Sequence, residues 1–185
     1  WNDPVLIKPV LDIGADGVII PLVRTVEDVR RAVAACRYPP AGVRGFGPRR
    51  ASGYGELGGP DYVRLANETV ICIVQIEHIE AANNLDAILQ VPGLDGIVIG
   101  PNDLAGSMGF MGQPHHPEVQ KVMEAIIATT IKTQVYAGVS VGGPPEYFAD
   151  WIKRGVQWIG MGGDLSLMLS AARQLDAQVR ALVNQ

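Results

Sequence analysis

Short apolar runs alternate with amphipathic stretches along the whole of this sequence, and that alternation leaves few folds open. Each apolar run has the length of a buried strand, and each amphipathic stretch has the spacing of a helix that covers a sheet. The predicted strands are residues 17–20, 70–76, 96–100, 136–141 and 157–161. Because a helix separates each strand from the next, the strands should run parallel. An open doubly wound sheet and a closed (β/α) barrel both fit this pattern.

Two further segments stand out. The last helix is predicted to run from Asp164 to the chain end, with Leu175 and Val179 on its apolar face. Residues 41–60, AGVRGFGPRRASGYGELGGP, are rich in glycine and arginine and show no helix or strand period. Long loops in compact domains are commonly functional or disordered, and the aromatic and arginine content of this one favours a functional loop.

Composition excludes several classes of protein. The formal net charge of −4 argues against a nucleic-acid or anionic-membrane surface. No apolar run approaches about 18 residues, and so no transmembrane helix is expected. Two cysteines cannot build a disulfide framework, which favours the cytoplasm. A length of 185 residues fits a single domain, residues 1–185.

Two acids follow neighbouring predicted strands. Glu77 comes directly after the strand that ends at Ile76, and Asp103 follows the strand that ends at Gly100. Neighbouring strands lie about 4.8 Å apart, so both carboxylates can reach one point. Two carboxylates repel unless a cation or a shared proton offsets the charge, and a hard divalent ion accepts such a pair. Alternatively, Asp103 caps a helical turn over 104–107 and Glu77 begins the next helix; the pairing favours the metal.

Other candidate groups are less specific. Gln75, near the end of a buried strand, has the chemistry to donate to a ligand or simply faces a helix. The pair His115-His116 precedes Pro117 and is better explained as a helix entry than as a transition-metal site, and His78 is expected to point away from Glu77. No lysine lies at a predicted strand end, which disfavours a Schiff-base mechanism. The lysines are all on predicted helices: Lys8, Lys121, Lys132 and Lys153.

Four segments, in this order and spacing, closely resemble the metal-dependent 2-oxo-acid (pyruvate) aldolases of the HpcH/HpaI family. They are WNDPVLIKPVLDIGADGVIIPLV, YPPAGVRGFG, VQIE and IVIGPNDLAGSMG. The resemblance implies a (β/α)8 TIM barrel and class II chemistry, with a 4-hydroxy-2-oxo acid cleaved reversibly into pyruvate and an aldehyde. The pyruvate enolate would be stabilised by Mg²⁺ or Mn²⁺, with Co²⁺ as a further candidate. The resemblance also implies a homohexamer, a trimer of dimers that exchanges the last helix between protomers.

The resemblance also implies roles for individual residues. Glu77 of VQIE and Asp103 of GPNDL would be the metal ligands. Gln75 would contact the 2-oxo acid, and the amides around Asn102 and Asp103 would hold its carboxylate. Asp12 matches the acid that assists the family's catalytic histidine.

One part of the family pattern is expected outside this sequence. Arg44 matches a family arginine and is assigned with Asp12 to catalysis, but the family's catalytic histidine and pyruvate-binding arginine lie upstream of the WND segment. A barrel needs eight strands and about 250 residues. We therefore expect roughly 65–95 further residues, carrying three strands, before Trp1. The 185 residues would then be the C-terminal portion of the barrel.

Two other functions stay open at this point. An acyl-CoA lyase of the citrate-lyase β type shares the barrel and the acid pair, but it needs a basic groove for the CoA phosphates. Arg49 and Arg50 could begin such a groove. A non-catalytic metal-binding fragment that lacks the base is the other hypothesis. For the aldolase, the aldehyde pocket is expected to be lined partly by residues 41–60 and partly by neighbouring subunits.

Overall fold

The computed structural model describes residues 1–183, which form one curled sheet of five parallel strands with helices packed on its outer side. The strands are β1 (Gly17–Ile20), β2 (Ile71–Ile76), β3 (Gly96–Ile99), β4 (Tyr136–Ser140) and β5 (Trp158–Gly160). All neighbouring pairs are parallel, as the alternating pattern predicts.

The order of the strands decides between the two predicted architectures. The order in the sheet is β1-β2-β3-β4-β5, the same as the order along the chain. Since parallel crossovers are right-handed, adding each strand to the same edge puts all the helices on one face. A doubly wound sheet would instead reverse its strand order and cover both faces. The sheet is therefore an arc of a (β/α) barrel.

The two faces of this arc are buried to different extents. On the outer face, Ile20, Val74 and Ile97 lie side by side in register and are buried beneath the helices. On the inner face, Ile71 and Tyr136 are 45% and 59% exposed. In a complete barrel, side chains from all strands fill this interior in layers. Three further strands, which would supply the missing layers, remain a prediction.

The helices connect the strands and hold the core between themselves and the sheet. They are α1 (Pro4–Asp12), α2 (Val26–Cys36), α3 (Gly59–Thr69), α4 (Ile79–Asn83), α5 (Leu85–Ile88), α6 (Pro101–Ser107), α7 (Pro117–Thr130), α8 (Pro145–Lys153) and α9 (Asp164–Val183). Thr25 caps α2 through a reciprocal capping box with Asp28. Of the described helices, none is both long and apolar enough to cross a bilayer.

Two segments differ from their predictions, and the last helix is less buried than the others. The helix predicted through residues 79–89 is two short helices, because Asn84 leaves the helical conformation between them. The predicted loop 41–60 contains a 3₁₀ helix, Arg50–Gly55, and α3 already begins at Gly59. In α9 no side chain is buried, and Leu175 and Val179 are exposed. The predicted end of that helix, residues 184–185, lies outside the described residues.

Candidate metal and active site

Glu77 is the buried acid at the carboxyl end of β2. Only 4% of the surface of Glu77 is exposed to solvent. Its Oε1 accepts a hydrogen bond of 2.7 Å from the backbone N–H of Leu22, which follows β1. Because β1 and β2 are parallel neighbours, their ends bring this amide and this carboxylate together. One oxygen of Glu77 is therefore held, and Oε2 is directed elsewhere.

Leu22 holds an unusual backbone conformation for this purpose. Its φ is 57°, in the left-handed region. That conformation costs a residue with a Cβ about 1–2 kcal/mol, and such strain concentrates at functional sites. Leu22 was missed by the sequence reasoning, because the group that acts is its N–H and an apolar side chain gives no signal of that role.

Gln75 and Glu77 converge on Gly100, directly after β3. A Cβ placed on Gly100 would lie 2.5 Å from Gln75 Nε2 and 2.9 Å from Glu77 Oε2. A larger residue would therefore displace both side chains. In the register, Gln75 lies opposite Val98 on the inner face of the arc. Its side chain therefore lies on the inner face of the sheet, away from the helices. Of the two alternatives that the sequence left open for Gln75, contact with a ligand and contact with a helix, this position favours the ligand.

Asp103 completes the acid pair from the first turn of α6. It is exposed, and its carboxyl group lies near enough to Glu77 to raise the pKa of that residue. The N-cap of α6 is Gly100, so Asp103 is inside the helix and does not cap it. Glu77 lies before His78, the N-cap of α4, and so it does not begin a helix either. The helix-start explanation of the two acids is therefore wrong.

The electrostatics of the pair fit a cation. Burial raises the pKa of Glu77, the Leu22 amide lowers it, and the nearby Asp103 carboxyl group raises it further. A cation bound between the two carboxylates would offset their repulsion. In residues 1–183, no three His, Cys, Asp or Glu side chains gather as a ligand cluster. Mg²⁺ is commonly held by one or two carboxylates plus water and substrate oxygens, and the donors here match that type of site.

Two of the histidines have structural roles. The Nδ1 of His78 accepts from the N–H of Glu80 at 3.2 Å and caps α4. The Nδ1 of His116 accepts from the N–H of Glu118 at 3.3 Å and caps α7, as expected for a helix entry. His115 caps no helix within the described residues and packs edge-on against Tyr147.

Asp12 and Arg44 lie together at the opposite, amino end of the sheet. Arg44 is fully buried and donates from Nη2 to Asp12 Oδ1 at 2.8 Å and to Tyr62 Oη at 3.2 Å. Its guanidinium lies 4.5 Å from the centre of the Tyr38 ring, and Lys8 pairs with the other oxygen of Asp12. Burial lowers the pKa of Arg44, but its bond to Asp12 and the two tyrosines give a net rise. The structure thus joins these two predicted residues but separates them from the acid pair of the same chain.

Residues 41–60 are also at the amino end. The Cγ of Arg50 and the Cα of Ala51 lie about 4 Å from a Cβ built on Gly14, between α1 and β1. Within one chain, this segment therefore does not border the Glu77–Asp103 pair. The basic groove considered for CoA phosphates is likewise not beside that pair.

Comparisons with known proteins point in one direction. A sequence profile of the HpcH/HpaI aldolase/citrate lyase family matches residues 1–171. A 4-hydroxy-2-oxo-heptane-1,7-dioate aldolase of Salmonella paratyphi A is 43% identical over 100% of this chain and 70% of its own length. A crystal structure of a HpcH/HpaI aldolase/citrate lyase family protein from Burkholderia cenocepacia J2315 has a TM-score of 0.90 at 33% identity, covering 97% of this chain and 70% of that one.

A second solved structure is similar over the same region. The HpcH/HpaI aldolase from Desulfitobacterium hafniense DCB-2 has a TM-score of 0.85 at 29% identity, and the match covers 96% of this chain and 69% of that one. The chain thus spans about 70% of the length of these proteins.

Proposed function

The chain belongs to the HpcH/HpaI aldolase/citrate lyase family, and from that membership we propose a metal-dependent class II aldolase that reversibly cleaves a 4-hydroxy-2-oxo acid into pyruvate and an aldehyde. The observation that carries the proposal is the pair Glu77–Asp103, with Gln75 beside it, at the carboxyl ends of neighbouring strands. The substrate named for the Salmonella relative is a member of this class of acids.

The acid pair is proposed to hold the metal. Glu77 and Asp103 would be ligands of Mg²⁺, Mn²⁺ or Co²⁺, with the Leu22 amide fixing the orientation of Glu77. When bound, the cation would offset the two negative charges and polarise the 2-oxo group of the substrate, where charge develops during cleavage. The three ions accept similar oxygen ligands, and so comparing activity with each ion identifies the one that the protein uses.

The neighbouring polar groups are proposed to orient the substrate. The Gln75 amide would bind the 2-oxo acid from the inner face of the arc. The backbone N–H groups of Asn102 and Asp103 are in the first turn of α6, where amides have no partner in the helix and attract a carboxylate. Together these groups would fix the acid end of the substrate and leave its C3–C4 bond toward the open side.

Proton transfer is proposed to need a second subunit. A base must remove a proton from the pyruvate methyl group, and by family resemblance this is a histidine upstream of Trp1 with Asp12 as its assistant. Because Asp12 lies at the amino end, it would serve the site of a neighbouring protomer. The absence of buried side chains in α9, Asp164–Val183, supports an exchanged helix in a hexamer. Arg44 would then hold Asp12 in place.

The proposal is tested with the full-length protein and a 4-hydroxy-2-oxo acid. Pyruvate release should stop on chelation and return on addition of Mn²⁺ or Mg²⁺, and borohydride should trap no substrate on the protein. Activity that survives complete chelation would overturn the proposal. Cleavage of a CoA thioester in preference to the oxo acid would support a citrate-lyase-like activity instead.

The buried free thiols Cys36 and Cys72 further suit a reducing compartment, and so the cytoplasm is the proposed location.

A further inference from the structure

A row of four residues crosses the inner face of the arc just below the proposed site, and we call it the floor row. Its members, neighbours in register from β2 to β5, are Gln75, Val98, Gly138 and Trp158. Two positions further along β2 and β3, the chain reaches Glu77 and Gly100. At about 3.3 Å per residue, these two lie about 6.6 Å above the row. The floor row is therefore the first layer beneath the acid pair.

Trp158 fills the gap that Gly138 leaves in this row. A Cβ built on Gly138 would lie 2.1 Å from Cε2 and 2.3 Å from Nε1 of Trp158. Both distances are far shorter than a van der Waals contact. The indole ring is thus turned from β5 toward β4 and rests on the backbone of Gly138. Any residue with a Cβ at this position would displace the ring.

The backbone that carries Trp158 is fixed to β4, and the ring itself is held by packing. The N–H of the preceding residue, Gln157, donates to the carbonyl of Ala137 at 2.9 Å. The side-chain Oε1 of Gln157 accepts from the N–H of Ala137, also at 2.9 Å. The indole Nε1 of Trp158 is buried and has no hydrogen-bond partner within residues 1–183. Replacing the ring therefore removes volume without breaking a hydrogen bond to the described part of the chain.

The burial of Val98 indicates that the floor row is a closed layer. Val98 is only 1% exposed, whereas Ile71 and Tyr136 on the same inner face are 45% and 59% exposed. Its neighbour Gly138 has no side chain with which to cover it. The indole of Trp158, which rests on Gly138, supplies that cover from the β4 side. A ligand bound above the row therefore meets a packed surface beneath it.

This surface bears on the carbon that reacts. Gln75, a member of the row, is proposed to bind the 2-oxo acid, and the new C3–C4 bond forms on the open side. As C3 changes from planar to tetrahedral, its two other substituents bend away from that bond and toward the floor row. In pyruvate both are hydrogen atoms, whereas a longer 2-oxo acid places a carbon group there. An extra methylene that a pocket must accept or reject changes kcat/KM by about 10–200-fold.

We propose that Trp158 is a specificity-determining residue that restricts the oxo acid to pyruvate by leaving no room for a carbon substituent on C3; this rests on the proposed aldolase function. With 2-oxobutyrate, C3 would lose one proton to the base and bond the aldehyde carbon, whose oxygen takes up a proton. The product would be a 4-hydroxy-3-methyl-2-oxo acid. Its 3-methyl group would meet the indole that rests on Gly138.

The test compares two oxo acids with the full-length, metal-loaded protein. Values of kcat/KM are measured for pyruvate and for 2-oxobutyrate, with propionaldehyde held at one concentration. The wild type should prefer pyruvate by about tenfold or more. Trp158→Leu should reduce that preference to about threefold or less by raising the value for 2-oxobutyrate, a gain that general damage to the fold does not produce. A wild type that uses both acids equally well would overturn the inference.

A change at Gly138 tests the same contact from the other strand. Gly138→Ala should push the indole off β4 into the barrel interior and lower kcat/KM for pyruvate severalfold. In the double variant with Trp158→Leu the clash is gone, and most of the loss should be recovered. Such recovery is the non-additivity expected of two residues in contact. A double variant as impaired as Gly138→Ala alone would count against a role for the ring.

Two further variants separate this inference from loss of stability and from the proposed function. Trp151→Leu removes an indole from the fully buried outer core, on α8, and should leave the preference within about twofold of the wild type. Trp158→Phe, a smaller change that covers the case in which Trp158→Leu does not fold, should lower the preference in part; circular dichroism establishes folding. Metal-dependent addition of pyruvate with an unaltered preference in the folded Trp158 variants would overturn this inference alone. Absence of metal-dependent addition in the wild type would overturn both.

Discussion

The two ends of the sheet both contain a buried charged group, and they differ in what faces that group. At the amino end, buried Arg44 meets Asp12, Tyr62 and the face of Tyr38, and each contact favours the charged guanidinium. At the carboxyl end, buried Glu77 faces a second carboxyl group, that of Asp103, which makes Glu77 harder to ionise. The charge of Arg44 is therefore paired with an opposite charge of the same chain, whereas the charge of Glu77 is not.

This contrast separates a role in folding from a role in binding. A buried ion pair such as Asp12–Arg44 can be retained for structure, because removing one partner leaves an unpaired charge. Two neighbouring carboxylates at strand ends weaken the fold of the metal-free chain and suit a site that a cation completes. The strained Leu22 backbone, whose amide binds Glu77, adds a second local cost at the same end. Four changes test the contrast.

The largest expected effect on folding comes from Arg44. Arg44→Ala should lower the free energy of unfolding by about 3–5 kcal/mol, the usual cost of removing one partner of a buried ion pair. Denaturant titration measures the change. Arg50→Ala, at an exposed arginine, is the control and should stay within about 0.5 kcal/mol of the wild type. Equal stabilities of the two variants would show that the Asp12–Arg44 cluster does not support the fold.

At the other end, Glu77→Gln should damage activity and spare the fold. The kcat/KM for oxo-acid cleavage should fall more than about 100-fold, because even groups beyond the ligands of a metal site change activity by about 10–100-fold. The stability of the metal-free protein should stay the same or rise, since the variant removes a carboxylate that resists ionisation. Glu80→Gln, at an exposed acid on α4, is the matched control. If Glu77→Gln lost as much stability as Arg44→Ala, both ends of the sheet would support the fold equally and the contrast would be contradicted.

Variants of Leu22 measure the free-energy cost of backbone strain at the carboxyl end separately, and this effect should be smaller. Leu22→Ala removes the side chain but keeps a Cβ in the left-handed region, whereas Leu22→Gly also relieves the strain. Leu22→Gly should therefore be more stable than Leu22→Ala by about 1 kcal/mol. Both variants keep the N–H that binds Glu77, so Mn²⁺ affinity should be similar in the two. If Leu22→Ala were as stable as Leu22→Gly, the left-handed backbone at Leu22 would not be strained.

The smallest expected effect is a pH dependence of stability in the metal-free protein. Because the pKa of Glu77 is raised above its ordinary 4.5 in the folded state, the folded chain binds this proton more tightly than the unfolded chain. Its contribution to stability is full below pH 4.5 and is lost as pH rises through the raised pKa. The stability of Glu77→Gln relative to the wild type should thus increase with pH over that range. A difference that is constant with pH would contradict the shift.

Local patterns in the sequence predicted the strands and the acids of the site. Strands and helices have characteristic apolar periods, and so the five strands were located within a residue or two of their observed bounds. The positions of Glu77 and Asp103 followed because parallel strands bring their carboxyl ends to one edge. The break at Asn84 between α4 and α5 was not predicted, since the apolar spacing continues across it.

The sequence by itself therefore determined the α/β class, the parallel strands and the acid pair, because these depend on residues close together in the chain. Only the tertiary structure decided which groups meet. The strand order selected a barrel arc, and the path of α1 and α2 placed Asp12 with Arg44 at the amino end. The backbone turn at Leu22 aimed an amide at Glu77. Such contacts join residues far apart in sequence, and their geometry depends on how whole elements pack, which no local pattern records.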